Sequence, residues 1–268
     1  MKKQNMSKLD KLRKILKGME SVVVAYSGGL DSTFLLKVAV DSLGRENVLA
    51  VTSRSETYPA SEYKEASRIV KMIGARHIVI KTKELAIRHF RSNPVNRCYY
   101  CKKELFKDLD RIRTRRGMNY LLDGANHDDL KDIRHGRTAA KELGVKSPLV
   151  DAVFTKADIR KYSKRLRLPT WDKPPLACLA SRFPFHTAIN AKDLKRIDMA
   201  EAYLRTLGFK QVRVRLHKDI ARLEILPGDM KKAVKLRIAI TDKFKNFGFT
   251  YVALDLRGYR TGNMHEGL

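Results

Sequence analysis

No stretch of this 268-residue chain is an uninterrupted apolar run long enough to span a bilayer, which takes roughly 18 to 20 residues. The amino-terminal segment, MKKQNMSKLDKLRKILKGME, is charged and then amphipathic, and it lacks the apolar core of a secretion signal. Both absences set the expectation of a cytoplasmic protein with no membrane partner. Cysteine is scarce and odd in number: Cys98, Cys101 and Cys178. That argues against a disulfide framework and points to metal, cluster or sulfur chemistry. Acidic residues are outnumbered, 29 against 56 Lys and Arg, for a net charge of +27. Such an excess attracts tRNA, nucleotides or an acidic small molecule, yet the basic residues are spread along the chain and form no arm or block. There is one tryptophan, no internal repeat and no low-complexity tract. Apolar residues make up 43% of the sequence, enough at this length for one large domain or two smaller ones with a real core.

What is present alternates. Short apolar runs at 22–26, 47–53, 77–82 and 119–126 read as strands. Between them lie helical patterns at 8–18, 32–43, 61–74, 102–117 and 135–144, with a helix-like piece at 84–90. Strands alternating with helices predict an α/β fold with a parallel, doubly wound sheet. Ligands bind such sheets at the carboxyl ends of the strands, so the SGGLDS, TSRSET and DGANHDD loops are expected to meet at one site. A helix at 155–170 has Thr155 as its N-cap, Asp158 three residues on and Pro169 near its end. The stretch DKPPLACLASRFPFHTAIN then carries three prolines and no clear period, as in a linker or active-site loop. From about 190 the pattern changes to a helix (190–207), two strands (211–218 and 220–227), a helix (229–245) and a last strand (249–256). The expected organisation is a nucleotide domain over 1–170, a cysteine-bearing loop over 171–189 and a smaller α/β domain over 190–268.

Ser-Gly-Gly-Leu-Asp-Ser, residues 27–32, sits between the first strand and its helix. Glycines let backbone N–H groups approach an anion, and the helix adds its positive end. Ser27, Ser32 and Thr33 can donate hydroxyls to phosphate oxygens. Asp31 adds negative charge and makes sense as a ligand of Mg²⁺ carrying the phosphates. The loop is not the kinase-type P-loop, because no lysine follows the glycines. It resembles the pyrophosphate-binding SGGxDS loop of the ATP pyrophosphatases, which include GMP, NAD and argininosuccinate synthetases and tRNA thiolases. That resemblance implies ATP-dependent adenylation of an oxygen, release of pyrophosphate, and displacement of AMP by a nucleophile.

The cysteines bear on which nucleophile. Cys98 and Cys101 form a C-x-x-C just before the helix expected at 102, and Arg97, Lys102 and Lys103 beside them favour thiolate. Cys178 lies in the proline-rich stretch. Three thiolates can hold three irons of a 4Fe–4S cluster and leave the fourth iron open. Zinc held by three Cys and one of His77, His89, His127 or His135 is a second reading, and a redox dithiol with Cys178 apart is a third.

Nearly the whole chain resembles the LarE family of ATP-dependent sulfur transferases, through YSGGLDS, DGANHDD, SPL, TKADIRKYSKRL, LPTWDKP, ACLASRFP, VRVRLHKDIARLEI and LDLRGYRTG in that order. The resemblance implies a pyridinium dicarboxylate mononucleotide as substrate, adenylated by ATP and thiolated by sulfide or another sulfur donor, in nickel-pincer nucleotide cofactor synthesis. In one branch of the family the cysteine of CLASR gives up its own sulfur. In the other it joins a C-x-x-C to hold a 4Fe–4S cluster. Cys98, Cys101 and Cys178 together match the cluster branch. The resemblance also implies a homo-oligomer. A tRNA thiolase of the same superfamily is the alternative, favoured by the charge; against it stand the absence of further C-x-x-C pairs and of an RNA-binding module.

Further candidates follow from placement. Ser53 and Arg54 end the second strand, where adenine and ribose are held in such folds; Asp123, Asn126, Asp128 and Asp129 lie in the loop after the fourth, with Asp123 or Gly124 expected near the nucleotide and some of the carboxylates capping the turn. Ser181 and Arg182 follow Cys178. Arg213 and Arg215 share one strand face and can address a substrate anion together. Glu201 and Glu224 read as surface carboxylates, or, by the family resemblance, as metal ligands. Trp171 reads as a packing anchor.

Overall fold

Val22, Val23 and Val24 form a strand because the sheet they enter is buried on both faces. Val22 and Val24 face a core with Leu12, Phe34, Leu36 and Phe154, whereas Val23 faces a second core with Phe106, Leu109 and Leu121. In a computed structural model that describes residues 6–130, 135–175 and 177–260, this strand is the centre of the first of two compact units. The His135 side chain and the last two residues of LDLRGYRTG lie outside the described residues.

The first unit comprises residues 6–55, 62–82 and 96–175 among those described. In chain order its elements are α1 (Lys8–Lys17), β1 (Val22–Ala25), α2 (Leu30–Leu43), β2 (Val48–Arg54), α3 (Ala60–Ile73, joining at residue 62) and β3 (Arg76–Lys81). After α4 (Arg88–Arg91), which belongs to the second unit, come α5 (Arg97–Arg115), β4 (Tyr120–Leu122), α6 (His135–Glu142), α7 (Pro148–Asp151) and α8 (Lys156–Arg165). The expected parallel sheet is present, in the order β3-β2-β1-β4. The chain runs outward from β1 through β2 to β3, then returns to β4 on the other side of β1. The crevice between β1 and β4 is therefore the switch point at which such sheets bind ligands. Thr155 caps α8 as expected, in a reciprocal capping box with Asp158.

Two elements differ from expectation. Helix α5 begins at Arg97 rather than 102, so Cys98 lies in its first turn and Cys101 starts its second. Its N-cap, Asn96, makes no side-chain capping bond; packing against α6 holds the early turn instead. At Gly136 a Cβ would stand 3.1 Å from Lys102 Cγ and 3.7 Å from the Cys98 carbonyl oxygen. Second, the strand expected over 119–126 is β4, which is three residues long and gives way at Asp123 to a turn.

The second unit comprises residues 56–61, 83–95 and 177–260 among those described. Its main elements are α9 (Ala191–Thr206), β5 (Val212–His217), β6 (Ile220–Ile225), α10 (Met230–Lys235), α11 (Arg237–Asn246) and β7 (Tyr251–Leu254). The expected single helix over 229–245 is two helices meeting at Leu236. Strands β5 and β6 pair antiparallel, and β7 joins β6 in parallel. Among the described residues no helix is long and apolar enough to cross a membrane.

Candidate active site

Tyr26 continues β1 by donating its N–H to the Val51 carbonyl at 2.9 Å, and the chain then turns into Ser27–Gly29. Gly28 adopts φ +68°, and a Cβ there would lie 2.5 Å from Ala66 Cβ. Both the left-handed backbone and the close approach of α3 demand glycine. Gly29 occupies the N-cap of α2 and offers the first-turn N–H groups no side chain. A 14-residue helix with a bare first turn is a ready anion site. The two loop serines brace each other, Ser27 Oγ to Ser32 Oγ at 3.1 Å.

The β4 loop closes on this one. A Cβ on Gly124 would stand 3.0 Å from Ser32 N and 3.2 Å from Ser32 Cα, so residue 124 abuts the α2 start with no room for a side chain. Asp123 accepts from Ser147 Oγ at 2.7 Å and from Ala125 N. Asn126 and Asp129 accept backbone N–H groups inside the turn, and Asp128 accepts from Lys156 N at 2.8 Å. These carboxylates shape the loop. On the other side of β1, Ser53 Oγ contacts Thr82 Oγ1, and Arg54 lies exposed at the end of β2 with its guanidinium 4.8 Å from the Tyr63 ring centroid. Burial pushes the Tyr26 phenol up to about 12, and its OH reaches the Ala66 carbonyl at 3.3 Å.

Two lysines at this loop escaped sequence reading. Lys156, the first residue of α8, places Nζ 3.4 Å from Asp31 Oδ2. Lys173 places Nζ 3.3 Å from the Gly28 carbonyl oxygen, 2.6 Å from Glu65 and 2.7 Å from Glu62. The signal was available: the loop lacks the lysine of a P-loop, and TKADIR and WDKP each carry one. Trp171 is 38% exposed and sits under Lys164 Nζ, 4.6 Å from its ring centroid.

In the second unit Cys178 is partly buried and stands at the cap of a tight helical turn, Leu179–Arg182. Arg182 is fully buried. Its Nη1 donates to the carbonyls of Ala177 and Cys178, each at 3.1 Å, and to Ser181 Oγ at 2.8 Å. Its Nε and Nη2 grip Glu201 at 2.8 and 2.9 Å. Burial opposes the Arg182 charge, but Glu201 outweighs it and holds the guanidinium above its ordinary range. Burial likewise works against ionised Glu201, and Arg182 overcomes it, so the carboxyl lies below its usual value. Arg215 makes a second two-pronged pair, with Glu224 at 3.0 Å on both prongs, and also donates to the Ser181 carbonyl. Arg213 rests on Tyr259, 5.4 Å from the ring centroid, and burial, then Arg182, pulls it down to about 10. Glu201 and Glu224 are wholly buried, which corrects their reading as surface carboxylates: each is the counter-ion of an arginine.

Cys98 is exposed and Cys101 partly buried, one helical turn apart on α5. Residues i and i+3 of a helix share a face, which suits two thiolates on one cluster. The three cysteines form no disulfide. Among the described residues no group of three His, Cys, Asp or Glu is gathered for a metal. His77, one of the zinc candidates, is engaged with Thr52 Oγ1 at 2.9 Å.

Comparison with known proteins agrees with the placement of the loop. The NAD synthase family model matches residues 7–130. A 73-residue stretch is 40% identical to the glutamine-dependent NAD(+) synthetase of Aquifex aeolicus, covering 27% of this chain and 13% of that one. An uncharacterized protein of Synechocystis sp., slr1717, is 42% identical over 98% of both chains. The pyridinium-3,5-bisthiocarboxylic acid mononucleotide synthase of Lactiplantibacillus plantarum is 37% identical over 94% of this chain and 92% of its own. With a phosphate loop at the switch point of a parallel sheet and this whole-length relationship, the chain belongs to the LarE family of that synthase.

Proposed function

We propose that this protein is an ATP-dependent sulfur transferase that converts the carboxylates of a pyridinium dicarboxylate mononucleotide to thiocarboxylates. The observation that carries the reading is the 37% identity to the Lactiplantibacillus plantarum synthase over 94% of the chain. In the first half-reaction a substrate carboxylate oxygen attacks the ATP α-phosphorus, the α–β anhydride bond breaks and pyrophosphate leaves. The α2 start, Ser27, Gly28, Gly29 and Ser32 hold the departing pyrophosphate; Asp31 holds Mg²⁺, and Lys156 adds positive charge to the same cradle. Asp123 and Gly124 border the nucleotide, and Ser53 and Arg54 lie where its adenosine half belongs. In the second half-reaction sulfur attacks the acyl carbon and AMP leaves, giving a thiocarboxylate; two rounds give the dithio product.

Ser181, Arg182, Arg213 and Arg215 are the substrate-anion candidates. Cys178 is the sulfur-handling residue. Three thiols of this type fit a 4Fe–4S cluster held by Cys98, Cys101 and Cys178, with sulfide or another donor as sulfur source. When bound, such a cluster would supply soft iron with affinity for sulfide.

The test is anaerobic purification followed by mass detection of a thiocarboxylate product and of pyrophosphate, for wild type and Cys178→Ala. Product from wild type and none from the variant is expected. A colourless, iron-free protein that still thiolates with intact Cys178 removes the cluster from the reading. The +27 charge favours a second reading, tRNA thiolation; it requires salt-sensitive tRNA binding, and a flat gel-shift titration ends it.

A further inference from the structure

Lys173 is nearly enclosed, with 10% of its side chain exposed; its ammonium donates to Glu65 and to the Gly28 carbonyl and makes an ion-pair contact with Glu62 at 2.7 Å. The lysine is presented rigidly. Arg160 of α8 holds the Trp171 carbonyl at 2.8 Å and the Lys173 carbonyl at 3.0 Å, and Lys173 N donates to Thr170 O at 3.1 Å. Neutralising two glutamates one helical turn apart explains two of the three contacts. It does not explain the third, which falls on the one glycine of the phosphate loop that is at once left-handed and pressed against α3.

The peptide linking Gly28 to Gly29 is planar and trans, so its C=O and N–H point in opposite directions. Drawing the Gly28 oxygen toward Lys173 turns the Gly29 N–H the other way, where its one contact is a long 3.4 Å approach to Ser27 Oγ that an anion could displace. A flip of this peptide, which glycine permits on both sides, would instead put a carbonyl oxygen into the anion cradle and repel phosphate. We propose that Lys173 is a positioning residue: it fixes the orientation of the Gly28–Gly29 peptide so that the loop presents N–H groups to the pyrophosphate of ATP. Glu62 and Glu65 hold the ammonium in place for that contact.

The inference rests on the loop being a pyrophosphate cradle, and calorimetric titration of the full-length protein with AMP and, separately, with inorganic pyrophosphate and Mg²⁺ tests both. Wild type is expected to bind both probes. Wild type that binds AMP but no pyrophosphate removes the cradle reading, and the proposal with it. For Lys173→Met the expected result is a rise of about tenfold or more in the pyrophosphate Kd, with AMP affinity within about twofold of wild type. A triple variant, Glu62→Gln, Glu65→Gln and Lys173→Met, removes the buried charges together and is expected to fold yet keep the pyrophosphate defect. Wild-type pyrophosphate affinity in the triple variant assigns Lys173 to charge neutralisation alone and overturns the proposal, as does unchanged affinity in a folded Lys173→Met protein.

Discussion

Glu201→Gln is the sharpest probe of how the Cys178 turn is held. The Glu201 carboxylate accepts from Arg182 Nε and Nη2, from Val214 N at 3.0 Å and from Arg205 Nη2 at 3.1 Å, with no exposed surface. Glutamine keeps the oxygen facing Arg182 Nε and Val214 N, but it replaces the other oxygen with an amide NH₂ that meets two guanidinium N–H groups. It also leaves the Arg182 charge, 1% exposed, without its counter-ion. Breaking a buried pair in this way costs about 3–5 kcal/mol. For a chain of this size that is a fall in Tm of roughly 6–20 °C, readable by circular dichroism. Replacing both partners, Arg182→Met with Glu201→Met, removes both charges, so the loss is expected to be at least about 2 kcal/mol smaller than the sum of the single variants. Acid supplies a second check. The folded-state pKa of Glu201 lies below its unfolded value, so the pair's contribution is fully present above the unfolded pKa of about 4.3 and disappears as pH falls through the folded pKa. The stability gap between wild type and Glu201→Gln is therefore constant from about pH 6 to 8 and closes in acid. A loss under about 1 kcal/mol for Glu201→Gln, or strict additivity in the double variant, would refute the argument.

Gly124→Ala should cost about 1–3 kcal/mol by overpacking and weaken ATP binding, because its new methyl meets Ser32 backbone at 3.0 Å; unchanged Tm and ATP Kd would contradict the close approach. Tyr26 titrates at about 12 in the fold against about 10 unfolded, so it stabilises the fold below pH 10 and that contribution is lost as pH rises toward 12. By linkage this amounts to roughly 3 kcal/mol, and Tyr26→Phe should flatten the alkaline stability profile between those values. Thr155→Ala removes half of the α8 capping box and should lower stability by about 1 kcal/mol in urea unfolding; an unchanged midpoint would mean that the Lys8–Asp158 ion pair suffices to hold the helix start.

The phosphate loop and the sheet around it were legible because their signals are local. A strand buried on both faces must be apolar throughout, as Val22–Val24 are, and a left-handed turn pressed against a helix, as at Gly28, must be glycine. The early start of α5 was not legible. Cysteine and tyrosine are indifferent helix formers, Asn96 supplies no cap, and the turn is held from a distance by α6 through Gly136 and through Tyr99 and Lys103 on Glu142. Glu201 and Glu224 looked like surface residues because charge in a periodic pattern usually marks solvent. Their burial depends on arginines 19 and 9 positions away, partners that periodicity does not reveal. Lys173 is the same case at 145 residues from Gly28. The break at Leu236 has no glycine or proline to announce it.

Arg182 fastens the Cys178 turn by its main-chain oxygens, and Leu179 N adds a bond to the Thr57 carbonyl at 2.8 Å. None of these bonds involves the thiol. Under the proposed function, a change at the sulfur of residue 178 would leave the peptide around it seated, so scaffold and reagent would be separable at this position. A turn built this way would survive the proposed chemistry, whether the sulfur of residue 178 is spent or merely shared.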